Sequence, residues 1–199
     1  MTGRIVVLNG APRSGKTSIA QALQAQGRWI NLGVDAQNAA LPPDLRPGIG
    51  LRPGGERPDL EPFVLPLYLA LYDAIAAHAR QGFDVVADLG HHDDYSRPLK
   101  ILPACARRVE EFDVLFVGVH CPIEDIMGRR NADPQGGFYA SGEAIPPPVR
   151  RWQDAVHHGH DYDLVLDTAA LSPQDCALRI GAWLRDPPRS RAFARLAAR

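Results

Sequence analysis

Short apolar runs, spaced by longer amphipathic stretches, organise this chain. Arg4–Leu8 reads RIVVL, Phe83–Ala87 reads FDVVA, Asp113–Val119 reads DVLFVGV and Tyr162–Leu166 reads YDLVL. Runs this continuously apolar suit strands that are buried on both faces. Trp29–Leu32 is a weaker fifth candidate. Helical patterns fill the gaps at Thr17–Gln26, Leu65–Gln81, Ile123–Arg130 and Pro173–Arg185. The second carries an apolar stripe and stops at Gly82, a helix-ending residue. The last follows Ser172, whose hydroxyl can cap the helix, with proline in the first turn. Strands alternating with helices predict an α/β fold, a parallel sheet flanked by helices.

Two stretches interrupt this alternation. Leu41–Pro62 is rich in proline and glycine and reads as a surface excursion. Residues 131–148 contain Gly136-Gly137 and Pro146-Pro147-Pro148, and long irregular segments of this kind often form lids. The expected organisation is one domain over residues 1–185, with a lid around 129–148. Asp186–Arg199 then reads as a basic C-terminal extension bathed in solvent. At 199 residues and 45% apolar content, the chain has the size and composition of one ordinary domain with a real core.

Composition narrows the chemistry. The formal net charge is −1, which gives no reason to expect nucleic acid as a partner. Lys16 and Lys100 are the only lysines among 22 basic residues, so each is a choice worth explaining. The cysteines, Cys105, Cys121 and Cys176, are far apart and show no zinc spacing, as expected in a reducing compartment. The first apolar run is too short for a signal peptide or a membrane span. A cytoplasmic protein without a membrane partner is the expectation, and a homo-oligomer stays open.

Between the first run and the first helix, Gly10-Ala11-Pro12-Arg13-Ser14-Gly15-Lys16-Thr17 matches G-x-x-x-x-G-K-[ST] without exception, and Ser18 follows. Its glycines let successive backbone N–H groups curl around phosphate oxygens, and the helix N-terminus adds partial positive charge. Lys16 can reach the β- and γ-phosphates, and Thr17 can offer its hydroxyl to Mg²⁺. A strand before and a helix after are the context this motif requires. The pattern predicts binding of ATP with Mg²⁺ at residues Gly10 to Ser18.

Transfer to a hydroxyl acceptor also needs a proton acceptor and charge neutralisation. Asp35 lies just beyond the weak strand, where ligands gather at the carboxyl ends of a parallel sheet. Its alternative is a cap for a helix starting at Ala36. Asp88 ends the Val85-Val86-Ala87 run, the place for an acid that binds Mg²⁺ directly or through water. His91-His92-Asp93-Asp94 reads as a polar loop at the site mouth, and His157 as a packing histidine. Arg129 and Arg130, at the edge of the lid, are candidates to clamp the phosphates, with Arg150 and Arg151 as weaker alternatives.

Three blocks carry a family resemblance. They are Val7-Leu8-Asn9-Gly10 with Ser14 to Thr17 and Gly33-Val34-Asp35, then Phe112 to Cys121, and finally Val156 to Asp163 with Leu166-Asp167-Thr168. Together they resemble the chloramphenicol phosphotransferases. The resemblance implies a P-loop kinase with a five-stranded parallel sheet, phosphorylation of a primary hydroxyl, Asp35 as general base and an adenine pocket at the turn after Asp167-Thr168. It also exposes two departures. Where relatives carry an arginine-rich lid block, this chain reads Asp133-Pro134-Gln135-Gly136, and Pro42–Phe63 is not obviously alike. The small-molecule acceptor could thus be chloramphenicol-like, or another hydroxyl metabolite or nucleotide sugar. A nucleotide switch lacking an acceptor is the remaining alternative.

Overall fold

In the computed structural model, which describes residues 2–47, 49–133, 144–186 and 191–199, β1 (Ile5–Asn9) lies at the centre of a single sheet. It sits between β3 (Asp84–Leu89) and β4 (Val114–His120), with β2 (Trp29–Gly33) and β5 (Leu164–Asp167) outermost. All pairings are parallel. The alternation of side chains along a strand explains why the runs are apolar throughout. Ile5, Val7, Val85, Ala87, Val114 and Phe116 face one layer of helices, while Val6, Leu8, Val86, Leu115 and Val117 face the other.

The first layer contains α3 (Glu61–Arg80) and α4 (Ile101–Arg108), and the second contains α1 (Lys16–Gln26) and α7 (Pro173–Arg185). Ser172 caps α7 as its sequence predicts, its hydroxyl accepting from the Asp175 N–H at 3.1 Å. Helix α3 begins a turn earlier than Leu65, because Pro62 sits in the first turn where it needs no donor. By length and composition α3 could cross a bilayer; Val64, Tyr68, Leu71, Tyr72 and Ile75 are buried in the core.

Two expectations are corrected. The Leu41–Pro62 stretch is not simply a surface excursion: Ile49 and Leu51 are fully buried and belong to the main core. The end of the chain is not a solvated extension either. Helix α8 (Ala192–Ala197) buries Ala192, Phe193 and Leu196, with Phe193 edge-on to Phe116 at 5.1 Å. The arginines around these apolar positions hide a stripe spaced for one helical face. Most of the expected lid, residues 134–143, lies outside the described residues.

Candidate active site

The carboxyl ends of the strands open into a cleft of about 1040 Å³. The Gly10–Ser18 loop forms its floor, running from β1 into α1. Gly15 sits at φ +97°, a left-handed conformation that favours glycine. The Lys16 ammonium is 3.0 Å from the Ala11 carbonyl and 3.6 Å from Asp88 Oδ1. The Thr17 hydroxyl donates to Asp88 Oδ2 at 2.6 Å. Parallel register sets this meeting, because Asp88 aligns with Leu8 on one side and Gly33 on the other.

That same alignment brings Asp35 to the cleft, two residues past Gly33 on α2 (Val34–Ala39). Gly33 is the N-cap and no side chain caps this helix, so Asp35 is not held there as a cap. Asp35, Asp88, Lys16 and Thr17 therefore line one cavity. The Thr17 and Asp88 oxygens are hard donors placed side by side, a set that fits Mg²⁺.

The two arginines at the end of α5 (Ile123–Ala132) differ. Arg129 donates to the Arg13 carbonyl at 3.2 Å, to Thr168 Oγ1 at 3.1 Å and to the Thr168 carbonyl at 2.7 Å. Thr168 in turn donates to the Ser14 carbonyl at 2.7 Å. These bonds fasten the phosphate loop to the turn after β5. Arg129 and Arg130 both line the cleft. Arg13 is turned aside by Asp133, whose carboxylate it meets at 2.9 Å.

Beyond the floor, the cleft is walled by residues that the sequence did not single out. Trp152 and Val149 come from α6 (Pro147–Ala155), Asn38 from α2, and Pro47, Gly50 and Arg52 from the proline-rich loop. No local motif marks them, since they converge only through the tertiary fold. Arg150 and Arg151, the weaker clamp candidates, are not among the lining residues.

His91 and His92 do not form a polar mouth. Both are buried: His91 bonds the Tyr72 hydroxyl at 2.9 Å, and His92 bonds the Leu51 carbonyl at 2.8 Å. Burial pushes both imidazoles below their ordinary pKa. His157 packs as expected, stacked on His120 at 3.8 Å and bonded to the Tyr162 hydroxyl at 2.8 Å. Burial, followed by its neighbours His120 and His160, pushes it down to about 4. Asn9, just before the motif, binds the Val156 carbonyl at 2.9 Å and the Tyr162 hydroxyl at 3.0 Å, tying the end of β1 to the segment after α6. Among the described residues, no cluster of three or more His, Cys, Asp or Glu is arranged to hold a metal.

Residues 3–185 match the profile of the chloramphenicol phosphotransferase-like proteins. The chain belongs to this family. A Mycobacterium tuberculosis relative, provisionally named O-phosphotransferase Rv2636, is 31% identical over 99% of this chain and 89% of its own length. Among solved structures, the M. tuberculosis APS kinase aligns over 93% of this chain and 99% of its own, at 17% identity and a TM-score of 0.60. Shikimate kinase of Acinetobacter baumannii aligns over 96% and 97%, at 14% identity and a TM-score of 0.60. At such identities these two neighbours show the fold alone. Family membership and the intact phosphate loop make the chain a phosphotransferase of the kinase type, which moves phosphate to a hydroxyl group.

Proposed function

We propose that this family member is an ATP- and Mg²⁺-dependent O-phosphotransferase acting on a hydroxyl of a small molecule, in the manner of a chloramphenicol 3-O-phosphotransferase. The observation that carries this reading is the convergence of Lys16, Thr17, Asp88 and Asp35 on one cleft. The backbone of Gly10–Ser18 wraps the phosphates, and Lys16 neutralises the β- and γ-phosphate oxygens. Thr17 and Asp88 would hold Mg²⁺, which supplies charge neutralisation between the phosphates. Of the arginines that line the cleft, Arg130 is assigned to the transferring group, while Arg129 fixes the loop that binds it.

The transfer itself is a displacement in line. Asp35 takes the proton from the acceptor hydroxyl, the acceptor oxygen forms a bond to the γ-phosphorus, and the bond from that phosphorus to the β,γ-bridging oxygen breaks. ADP leaves with the electron pair of that bond.

Mass spectrometry of chloramphenicol and other hydroxyl compounds, incubated with enzyme, ATP and Mg²⁺, tests the assignment. A phosphorylated product is expected with the wild type. Asp35→Asn should lower its rate by about 10²–10⁴-fold with ATP binding retained. Full turnover by the variant would remove Asp35 from the mechanism. Product from another alcohol and none from chloramphenicol would select the alternative acceptor.

A further inference from the structure

We infer that Arg13 and Asp133 are positioning residues for the nucleotide, a tether by which the end of α5 holds the phosphate loop in a turn that Arg13 by itself disfavours. The inference rests on the ATP-binding reading of that loop and adds what keeps it ready. Within the loop, the Ser14 N–H donates to the Ala11 carbonyl at 3.1 Å, closing a turn with Pro12 and Arg13 at its corners. Proline at the first corner and a positive φ at the second make the pattern of a type II turn, whose second corner favours glycine. Here that corner is Arg13, at φ +69°. A side chain in the left-handed region is disfavoured by its Cβ and persists where its surroundings hold it.

The holding groups lie 116 and 120 residues along the chain. Arg129 Nη1 donates to the Arg13 carbonyl at 3.2 Å. Arg13 Nη1 donates to the Asp133 carboxylate at 2.9 Å, and Arg13 Nη2 donates to the Asp133 backbone carbonyl at 2.8 Å. Residues 129 and 133 are one helical turn apart, with Asp133 as the C-cap of α5. The end of α5 therefore grips Arg13 by its backbone and by its side chain at once. The Ala11 carbonyl that closes the turn also accepts from the Lys16 ammonium at 3.0 Å, so the turn sets where the phosphate-binding lysine rests. An ion pair as exposed as Arg13–Asp133 adds little to global stability. Its effect belongs to the loop. Without the tether the turn can relax, and nucleotide affinity falls with the fraction of molecules that keep the receptive shape.

Calorimetry with a non-hydrolysable ATP analogue and Mg²⁺ tests the tether without any acceptor, and circular dichroism melts control for folding. Asp133→Ala should weaken binding of the analogue by about 3- to 10-fold, and Asp133→Glu should recover part of the loss. Both melting temperatures should stay within about 4 °C of wild type. Arg13→Ala loses the tether and keeps the strain, whereas Arg13→Gly loses the tether but adopts the left-handed turn freely. The alanine variant should therefore bind about 5-fold more weakly than the glycine variant. In the Arg13→Gly background, Asp133→Ala should have no further effect. Tighter binding by Asp133→Ala would make Asp133 a competitor of the phosphates for Arg13 and overturns the proposal. So does unchanged affinity in that variant, an equal loss in the two Arg13 variants, or an Asp133→Ala effect that persists in the Arg13→Gly background. A wild type that binds no nucleotide overturns the reading of the loop itself, and the role of the pair with it.

Discussion

Gly50 is a position at which the wall of the cleft can be disturbed without touching the phosphate loop. It has φ +76°, and a Cβ built on it would lie 2.5 Å from Val34 Cγ1. Gly50→Ala therefore incurs two penalties. Holding a side chain in the left-handed region costs about 1–2 kcal/mol. Crowding a stiff β-branched neighbour in a packed site costs about 1–3 kcal/mol more. The lower entropy of the unfolded alanine chain returns about 0.4–1 kcal/mol. The net expectation is a loss of about 1–5 kcal/mol, and a melting temperature lowered by roughly 2–20 °C for a chain of this size. Circular dichroism melts and urea titrations measure this directly. Placed in a Val34→Ala background, the same substitution should lose its steric part and cost only the backbone strain, so the two changes should couple by about 1–3 kcal/mol. ATP affinity should be unchanged in every variant, because neither residue belongs to the phosphate loop. A Gly50→Ala protein within about 0.5 kcal/mol of wild type, or one whose penalty persists without the valine methyls, would refute the reasoning.

Other outcomes are expected. Lys16→Ala should weaken ATP binding and turnover together; unchanged nucleotide affinity by calorimetry would count against the phosphate cradle. Thr168→Val removes the donor to the Ser14 carbonyl and the acceptor for Arg129, and should weaken binding of a non-hydrolysable ATP analogue by about 5- to 10-fold while sparing the acceptor. Intact affinity there would make the brace irrelevant to the nucleotide. The buried histidines predict acid sensitivity. His157 falls to about 4 when folded, through burial first and His120 second, against about 6.5 unfolded. Between those values the unfolded chain binds more protons, so stability is fully present above about pH 6.5 and is lost as pH falls toward 4. Melting temperatures from pH 7 to 4 should fall accordingly, less steeply in His157→Asn; identical slopes would exclude His157 as a contributor.

The catalytic floor was legible because its chemistry is local. The phosphate loop needs glycines, a lysine and a hydroxyl at fixed spacing, and the flanking strand and helix announce themselves by their periods. Asp88 was readable for a related reason: an acid closing an apolar run must lie at the carboxyl end of a strand. Asp35 took more than position, since an aspartate beyond a weak strand reads equally well as a cap. The structure argues against the cap, with the helix starting at Val34 and Gly33 as its N-cap, and the proton-accepting role rests on the proposal above. The contacts of Arg129 and Arg130 were not separable from sequence, because which of two adjacent arginines reaches Thr168 depends on the helix phase and on a residue 39 positions away.

The proline-rich wall of the cleft is a different kind of object. Ile49 and Leu51 stand in a stretch so rich in proline and glycine that it was expected at the surface, yet both are fully buried. Loop backbone at that depth still needs partners for its carbonyls. Two of those partners are the side chains of Asn38 and His92, which lie 11 and 41 residues from the carbonyls they bind. No window on the sequence contains both ends of the longer bond, so periodicity could not reveal it. As a brace for the wall, the His92 ring is buried, and burial depresses its pKa even though the bond to the Leu51 carbonyl acts in the opposite direction. The proline-rich loop, which on the proposed reading faces the acceptor, is thus fixed by long-range hydrogen bonds, while the phosphate loop is recognisable from its own residues. Substitutions in residues 41–62 can therefore change acceptor choice while the phosphate chemistry stays intact.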